Sequence, residues 1–267
     1  MMNDENSAVK EMPVLLRSDS GGVVTLTLNR PKQFNSLSEE LLTALQSELG
    51  ELAKDESVRA IVIAANGKAF CAGHDLKQMR ANNSEAYYQA LFAKMGALMT
   101  GIMQQPQPVI ARVQGVATAA GCQLVASCDM AVAAEGTRFG VNGVNIGLFC
   151  STPMVALTRN VAPKQAFEML TTGEFIDAAR ALDIGLVNRV APHEALEAET
   201  MKLAETVAAK LSAAVKIGKR AFYDQIGLPL DQAYSHTGAV MVENMLWRDT
   251  NEGISAFIEK RPPDWQQ

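Results

Sequence analysis

Residues 113–129, VQGVATAAGCQLVASCD, set glycine just after a strand-like run and just before a helix-like one. The first amides of a helix lack intrahelical partners and carry partial positive charge, so a strand-to-helix turn of small residues can cup an oxyanion. Ala69 to Met79, AFCAGHDLKQM, repeats the arrangement. Facing each other, the two turns would make a hole with two donors. For either turn alone, a glycine that merely permits a tight bend is the commoner role.

Outward from these turns, four short apolar or β-branched runs read as strands: Val23 to Leu28, Ala60 to Ala65, Val109 to Val113 and Met130 to Ala134. Stretches with helical spacing separate them, which predicts an α/β protein. Ser38 followed by Glu39 and Glu40 predicts a helix start, with Leu41, Leu42, Leu45 and Leu49 on one face and an end near Asp55. A second helix is predicted from Ser84 to Gln104, stopped by Pro106 and Pro108. Its Met95, Met99 and Met103 recur every four residues; ordinary core packing is the first reading, and an acyl-pocket lining the second. From about residue 196 the pattern turns mostly helical, with no strand-like run. The expected organisation is a flexible start over 1–12, a core over 13–195 and a C-terminal helical region over 196–267, with no repeat or low-complexity linker.

The 267 residues are 48% hydrophobic with a net charge of −5. That suffices for an ordinary core and offers no broad basic surface for nucleic acid. Cys71, Cys122, Cys128 and Cys150 form no CxxC pair and are read as reduced. No apolar run approaches the roughly 18–20 residues of a membrane span. The opening MMNDENSAVKEM resembles neither a secretory signal nor an Arg-rich transit peptide, which predicts a soluble, cytoplasmic protein. No Cys, His, Asp and Glu set has metal-ligand spacing, and no GxxxxGK[ST] or GxGxxG turn occurs, so neither metal nor nicotinamide is expected.

NRPKQFNSLS at Asn29 to Ser38, FCAGHDLKQM at Phe70 to Met79 and GVATAAGCQLVASCD at Gly115 to Asp129 resemble three consecutive signatures of the enoyl-CoA hydratase/isomerase, or crotonase, superfamily. The resemblance continues through RFGVNGVNIGLFCSTP, LTTGEFIDAARALDIGLVNRV and GISAFIEKRPP, and so covers nearly the whole chain. GVNIGLFCSTP in particular resembles the subgroup named enoyl-CoA hydratase domain-containing protein three. What the resemblance implies is a crotonase-like spiral of ββα units with a C-terminal helical trimerisation region. The assembly would be a homotrimer or a homohexamer built as a dimer of trimers. The substrate would be an acyl-CoA thioester, with coenzyme A as part of the substrate and no separate cofactor.

By the same resemblance, the backbone amides of His74 and Ala120 match the oxyanion-hole donors. The two glutamates that hold water in hydratases match Gln123 and Gly143, so both carboxylates are absent. Glutamine orients water but is no general base near neutral pH, and glycine has no side chain to offer. A further family acid position matches Ser151, which is read first as a cap for the helix that Pro153 begins and second as a nucleophile paired with His74. Asp75 and Asp129 are read as structural caps or turn formers. For coenzyme A the resemblance points to Lys32, Gln33 and Phe34 at the adenine end, to Ala72, Asp75 and Leu76 beside the first donor, and to Lys260. Lys216, Lys219, Arg220 and Arg261 are further basic candidates for its phosphates. The expected activity is enoyl-CoA hydration, weakened by the lost carboxylates. The alternatives are thioester hydrolysis, double-bond isomerisation, or acyl-CoA binding without catalysis.

Overall fold

The computed structural model describes residues 12–266, so the flexible start expected over 1–12 lies, except for Met12, outside the described residues. The chain opens with β1 (Leu15–Ser20) and β2 (Val23–Leu28), followed by α1 (Glu39–Leu52), β3 (Ala60–Ala65), β4 (Ala69–Cys71), α2 (Leu76–Ala81) and α3 (Glu85–Gln104). Then come β5 (Val109–Val113), β6 (Val116–Thr118), α4 (Ala120–Ser127), β7 (Met130–Ala134), β8 (Arg138–Gly140), α5 (Pro153–Asn160), α6 (Pro163–Thr172), β9 (Ile176–Asp177), α7 (Ala178–Asp183) and β10 (Arg189–Ala191). Four helices close the chain: α8 (Leu196–Ala208), α9 (Ser212–Gln225), α10 (Leu230–Met245) and α11 (Arg248–Glu259).

Two sheets grow together. One has the order β1-β2-β3-β5-β7-β10 and the other β4-β6-β8-β9. Successive strands β3 and β4, β5 and β6, β7 and β8 go one to each sheet before a helix follows, so the chain climbs as a spiral of ββα units. Pairing is parallel except between β1 and β2 and between β8 and β9. Both faces of the larger sheet are covered, which is why its strands read as unbroken apolar runs. Leu26, Ile61, Ile63 and Val109 face the main core with the leucines of α1, whereas Val62, Ile110 and Val132 face α8. The first helix of the C-terminal region, through Leu196 and Leu203, therefore belongs to the packing of the sheet.

The four expected strands and both expected helices are present. Ser38 caps α1 through Leu41 N, and Ser84 caps α3 through Tyr87 N. α1 ends at Leu52, short of Asp55, where the chain enters a turn.

Candidate functional site

β6 ends at Thr118 and α4 begins at Ala120, so Ala119 alone must turn the chain. It does so at φ 50° and ψ −120°, a conformation costing a residue with a Cβ about 1–3 kcal/mol. The Ala119 amide donates to the Gly140 carbonyl (2.9 Å), and the Thr118 hydroxyl donates to Asn142 Oδ1 (2.6 Å), so the end of β8 and the loop after it hold the strained turn. An added Cβ on Gly121 would lie 2.1 Å from the Cys71 carbonyl oxygen, so only glycine lets α4 start against β4.

The second turn reaches the first at Gly73, which has φ 93°. A Cβ there would lie 3.1 Å from Ala119 Cβ and 3.4 Å from the Ala120 nitrogen. Beside it, Leu37 N donates to the Gly73 carbonyl (2.8 Å) and Asp75 N donates to the Leu37 carbonyl (3.3 Å). In such extended pairing alternate amides point to opposite sides, so the His74 N–H faces away from Leu37. Neither it nor the Ala120 N–H meets a backbone carbonyl among the described residues. The segments read from sequence as two separate turns thus abut, each with an unpaired amide.

The His74 side chain goes elsewhere. Its ring meets Phe92 edge-on at 5.7 Å, Phe92 stacks on Tyr88 at 6.3 Å, and both ring nitrogens are enclosed without a hydrogen-bond partner among the described residues. Burial pushes the imidazole down to about 4, so it is neutral at pH 7. Ser151 is exposed and donates to the Phe149 carbonyl (3.4 Å); no hydrogen bond joins it to His74. It does not cap α5 either. α5 begins at Pro153 as expected, so Thr152, immediately before it, occupies the cap position, without a side-chain bond, and Ser151 N is instead taken by the Phe149 carbonyl (2.8 Å).

Gln123 lies one turn into α4, buried, with Oε1 unpartnered among the described residues, on the wall of a cavity of about 1020 Å³ between α3, α4, α5 and α9. Met99 and Met103 line the same cavity, and Met95 and Met99 belong to the core, which bears out the core-packing reading for those two. Gly143 is more than a missing side chain. A Cβ there would lie 2.2 Å from the Leu148 carbonyl oxygen and 2.9 Å from Cys150 Sγ, because the short helical turn 142–146 folds back with Leu148 N donating to the Gly143 carbonyl.

Asp75 caps α2 through Gln78 N and pairs with Arg30 (3.0 Å). Partial burial opposes ionisation there, but the Gln78 amide and the Arg30 guanidinium outweigh it and hold the carboxyl below its ordinary value. Ala72 N donates to the Phe34 carbonyl (3.0 Å), which joins the turn Lys32–Phe34 to the segment Ala72–Leu76; Phe34 and Leu76 are exposed beside it. Lys260 ends α11, exposed, with no hydrogen bond or ion pair to that turn. Two basic candidates are already engaged. Lys219 is buried and donates to Asp129 Oδ2 (2.6 Å) and to the carbonyls of Ile102 and Gln107, while Arg261 pairs with Glu252 and Glu259. Asp129 also accepts from Tyr223 Oη (2.8 Å) and Val109 N (2.6 Å), so it anchors α9 in addition to its turn. That pairing spans 90 residues and gave no local sequence signal. The strain at Ala119 gave none either, since alanine betrays no special backbone.

The model of the enoyl-CoA hydratase/isomerase family matches residues 18–267. A Xenopus laevis protein named enoyl-CoA hydratase domain-containing protein 3, mitochondrial, is 44% identical over 98% of this chain and 89% of its own length. The Homo sapiens protein of that name is 45% identical over 91% of this chain and 80% of its own length. Among solved structures, an enoyl-CoA hydratase of Mycobacterium smegmatis superposes with a TM-score of 0.94 at 56% identity, covering 96% of this chain and all of the other. Human enoyl-CoA hydratase domain-containing protein 3 superposes at 0.92 and 44% identity, over 94% and 100% of the two chains. These relatives agree with the subgroup suggested by GVNIGLFCSTP. They also correct the cytoplasmic placement: the Xenopus, mouse and human proteins are named mitochondrial, which points away from the cytoplasm. Charge composition over a dozen residues is weak ground against relatives matched over nine-tenths or more of this chain.

Proposed function

The chain belongs to the enoyl-CoA hydratase/isomerase family, and on that premise we propose that it holds an acyl-CoA thioester in an oxyanion hole and hydrates enoyl-CoA slowly. The observation that carries this reading is the meeting of Gly73 and Ala119–Ala120, with the His74 and Ala120 amides unpaired. Hydration adds the oxygen of water to the β-carbon and a proton to the α-carbon, and meanwhile the electron pair of the double bond moves towards the thioester oxygen. Fixed amides at that oxygen stabilise the developing charge, each by about 3–4 kcal/mol, without having to reorganise as the reaction proceeds. The strain at Ala119 is consistent with a turn held for that purpose.

Water activation is the weak half. Gln123 presents a buried amide oxygen to the cavity, where it can accept a hydrogen bond from water but cannot take its proton. Each missing acid or base lowers the rate by roughly a hundred- to ten-thousand-fold. The turn Lys32–Phe34, with Ala72 and Leu76 beside it, offers coenzyme A an apolar edge. The chain is also read as a homotrimer or a pair of trimers, a reading supported by the apolar surface left uncovered by α10, α11 and the turn between them, including Leu246 at 78% and Phe257 at 86% exposure.

Single-turnover hydration of crotonyl-CoA, with thioester binding recorded separately, tests the proposal in the wild type, Gln123→Glu and Gly143→Glu. Binding with slow turnover is expected in the wild type, with a gain of about a hundredfold in Gln123→Glu. Gly143→Glu should gain nothing, because its Cβ would overlap the Leu148 carbonyl. Failure to bind the thioester, or fast wild-type hydration, would overturn the reading. The crowding at Gly143 also favours a second one, acyl-CoA binding without turnover; tight binding with no hydration in any of the three proteins would select it.

A further inference from the structure

Glycine inside a helix weakens it relative to alanine, because its backbone loses more freedom on folding, so an interior helical glycine calls for a local reason. Gly96 lies near the centre of α3, and a Cβ on it would meet no heavy atom within 4 Å. Close packing is therefore not what keeps a side chain away. Gly96 is exposed and stands on the wall of the large cavity, which it shares on α3 with Met99 and Met103.

The cavity follows α4 away from the proposed thioester site. Gln123 and Ser127 lie on its wall, and at 1.5 Å rise per residue Ser127 is about 10 Å beyond Ala120. α5 runs the same way, with Asn160 at its end donating to the Ala126 carbonyl near the end of α4 (2.8 Å), and it contributes Val155 and Ala156. α9 closes the cavity with Ile217. Of the charged residues on its wall, Arg159, Arg220, Asp224 and Glu243 are exposed, Lys216 is half-buried and Lys219 is engaged by Asp129; the long stems of the basic ones cover apolar surface while exposed heads reach water. A volume of about 1020 Å³ is at the upper end of ligand sites, roughly 300–1,000 Å³, and a four-carbon acyl group would leave most of it empty.

Resting on the acyl-CoA reading, we propose that the acyl group is a medium or long apolar chain lying along α4 in this cavity, and that Gly96 determines specificity by leaving room for it.

Titration with butanoyl-CoA and decanoyl-CoA, which differ only in chain length, tests this without relying on turnover. Each buried methylene multiplies affinity by up to about fourfold, so the wild type should bind decanoyl-CoA at least about tenfold more tightly. Gly96→Phe should reduce that ratio below about threefold, with Gly96→Leu intermediate. Gly96→Leu introduces a strong helix former whose Cβ meets no atom within 4 Å, so the series stays informative if the bulkier phenylalanine impairs folding. Equal wild-type affinities, or a chain-length preference unchanged by both substitutions, would overturn the inference while leaving the acyl-CoA reading intact. Failure of the wild type to bind either thioester would overturn that reading, and this inference with it.

Discussion

His74 carries two groups that face different surroundings: an amide beside the Ala120 turn and an imidazole enclosed against Phe92. Because burial lowers the ring from its ordinary 6.5 to about 4, an unfolded chain takes up a proton in that interval that the folded chain refuses. Stability from this source is present above pH 6.5 and lost as pH falls towards 4, a loss of about 2–3 kcal/mol between pH 7.5 and 4.5. Urea unfolding at those two pH values should therefore show a larger loss for wild type than for His74→Gln, whose side chain does not titrate. Equal losses would mean that the ring is hydrated in solution. The sequence placed His74 next to a candidate donor but could not say where its ring goes, since that depends on Phe92, which α3 supplies. Gly143 is similar: the absent carboxylate is visible in sequence, whereas the lack of room for one comes from Leu148 and Cys150 folding back onto it.

At the scale of elements, the long apolar runs and the capped helices were legible because each presents a full period of its own pattern. β4, β6, β8 and β9 were not, having two or three residues each, too few to display alternation. These strands nevertheless form the second sheet, on which the two turns sit. The attachment of α9 was equally hidden. Lys219 is desolvated, which pushes its ammonium down, and the charge of Asp129 works in the opposite direction. Breaking one side of a buried pair leaves the other uncompensated, so Lys219→Ala should cost about 3–5 kcal/mol. Hydrogen exchange should show the loss concentrated in α9, and Lys219→Met combined with Asp129→Asn should recover part of it. Protection of α9 that survives Lys219→Ala would mean that apolar contacts alone hold the helix.

For the whole molecule, the uncovered apolar residues of α10 and α11 bear on the proposed assembly. Light scattering should return the mass of three or six chains at micromolar concentration, and Leu246→Arg together with Phe257→Arg should shift it towards one. A wild-type monomer would remove the assembly from the reading. The order of the three signatures determined the family and the spiral, and through that resemblance placed Gln123 and Gly143 where hydratases of the family carry glutamates, because both kinds of information are local and survive without coordinates. The tertiary structure alone decided how closely the two turns abut, that the imidazole is enclosed and that Gly143 admits no side chain. It also decided that a large cavity runs past Gly96. Each of these depends on contacts between residues distant in the chain, where close packing sets what fits and periodicity carries no signal.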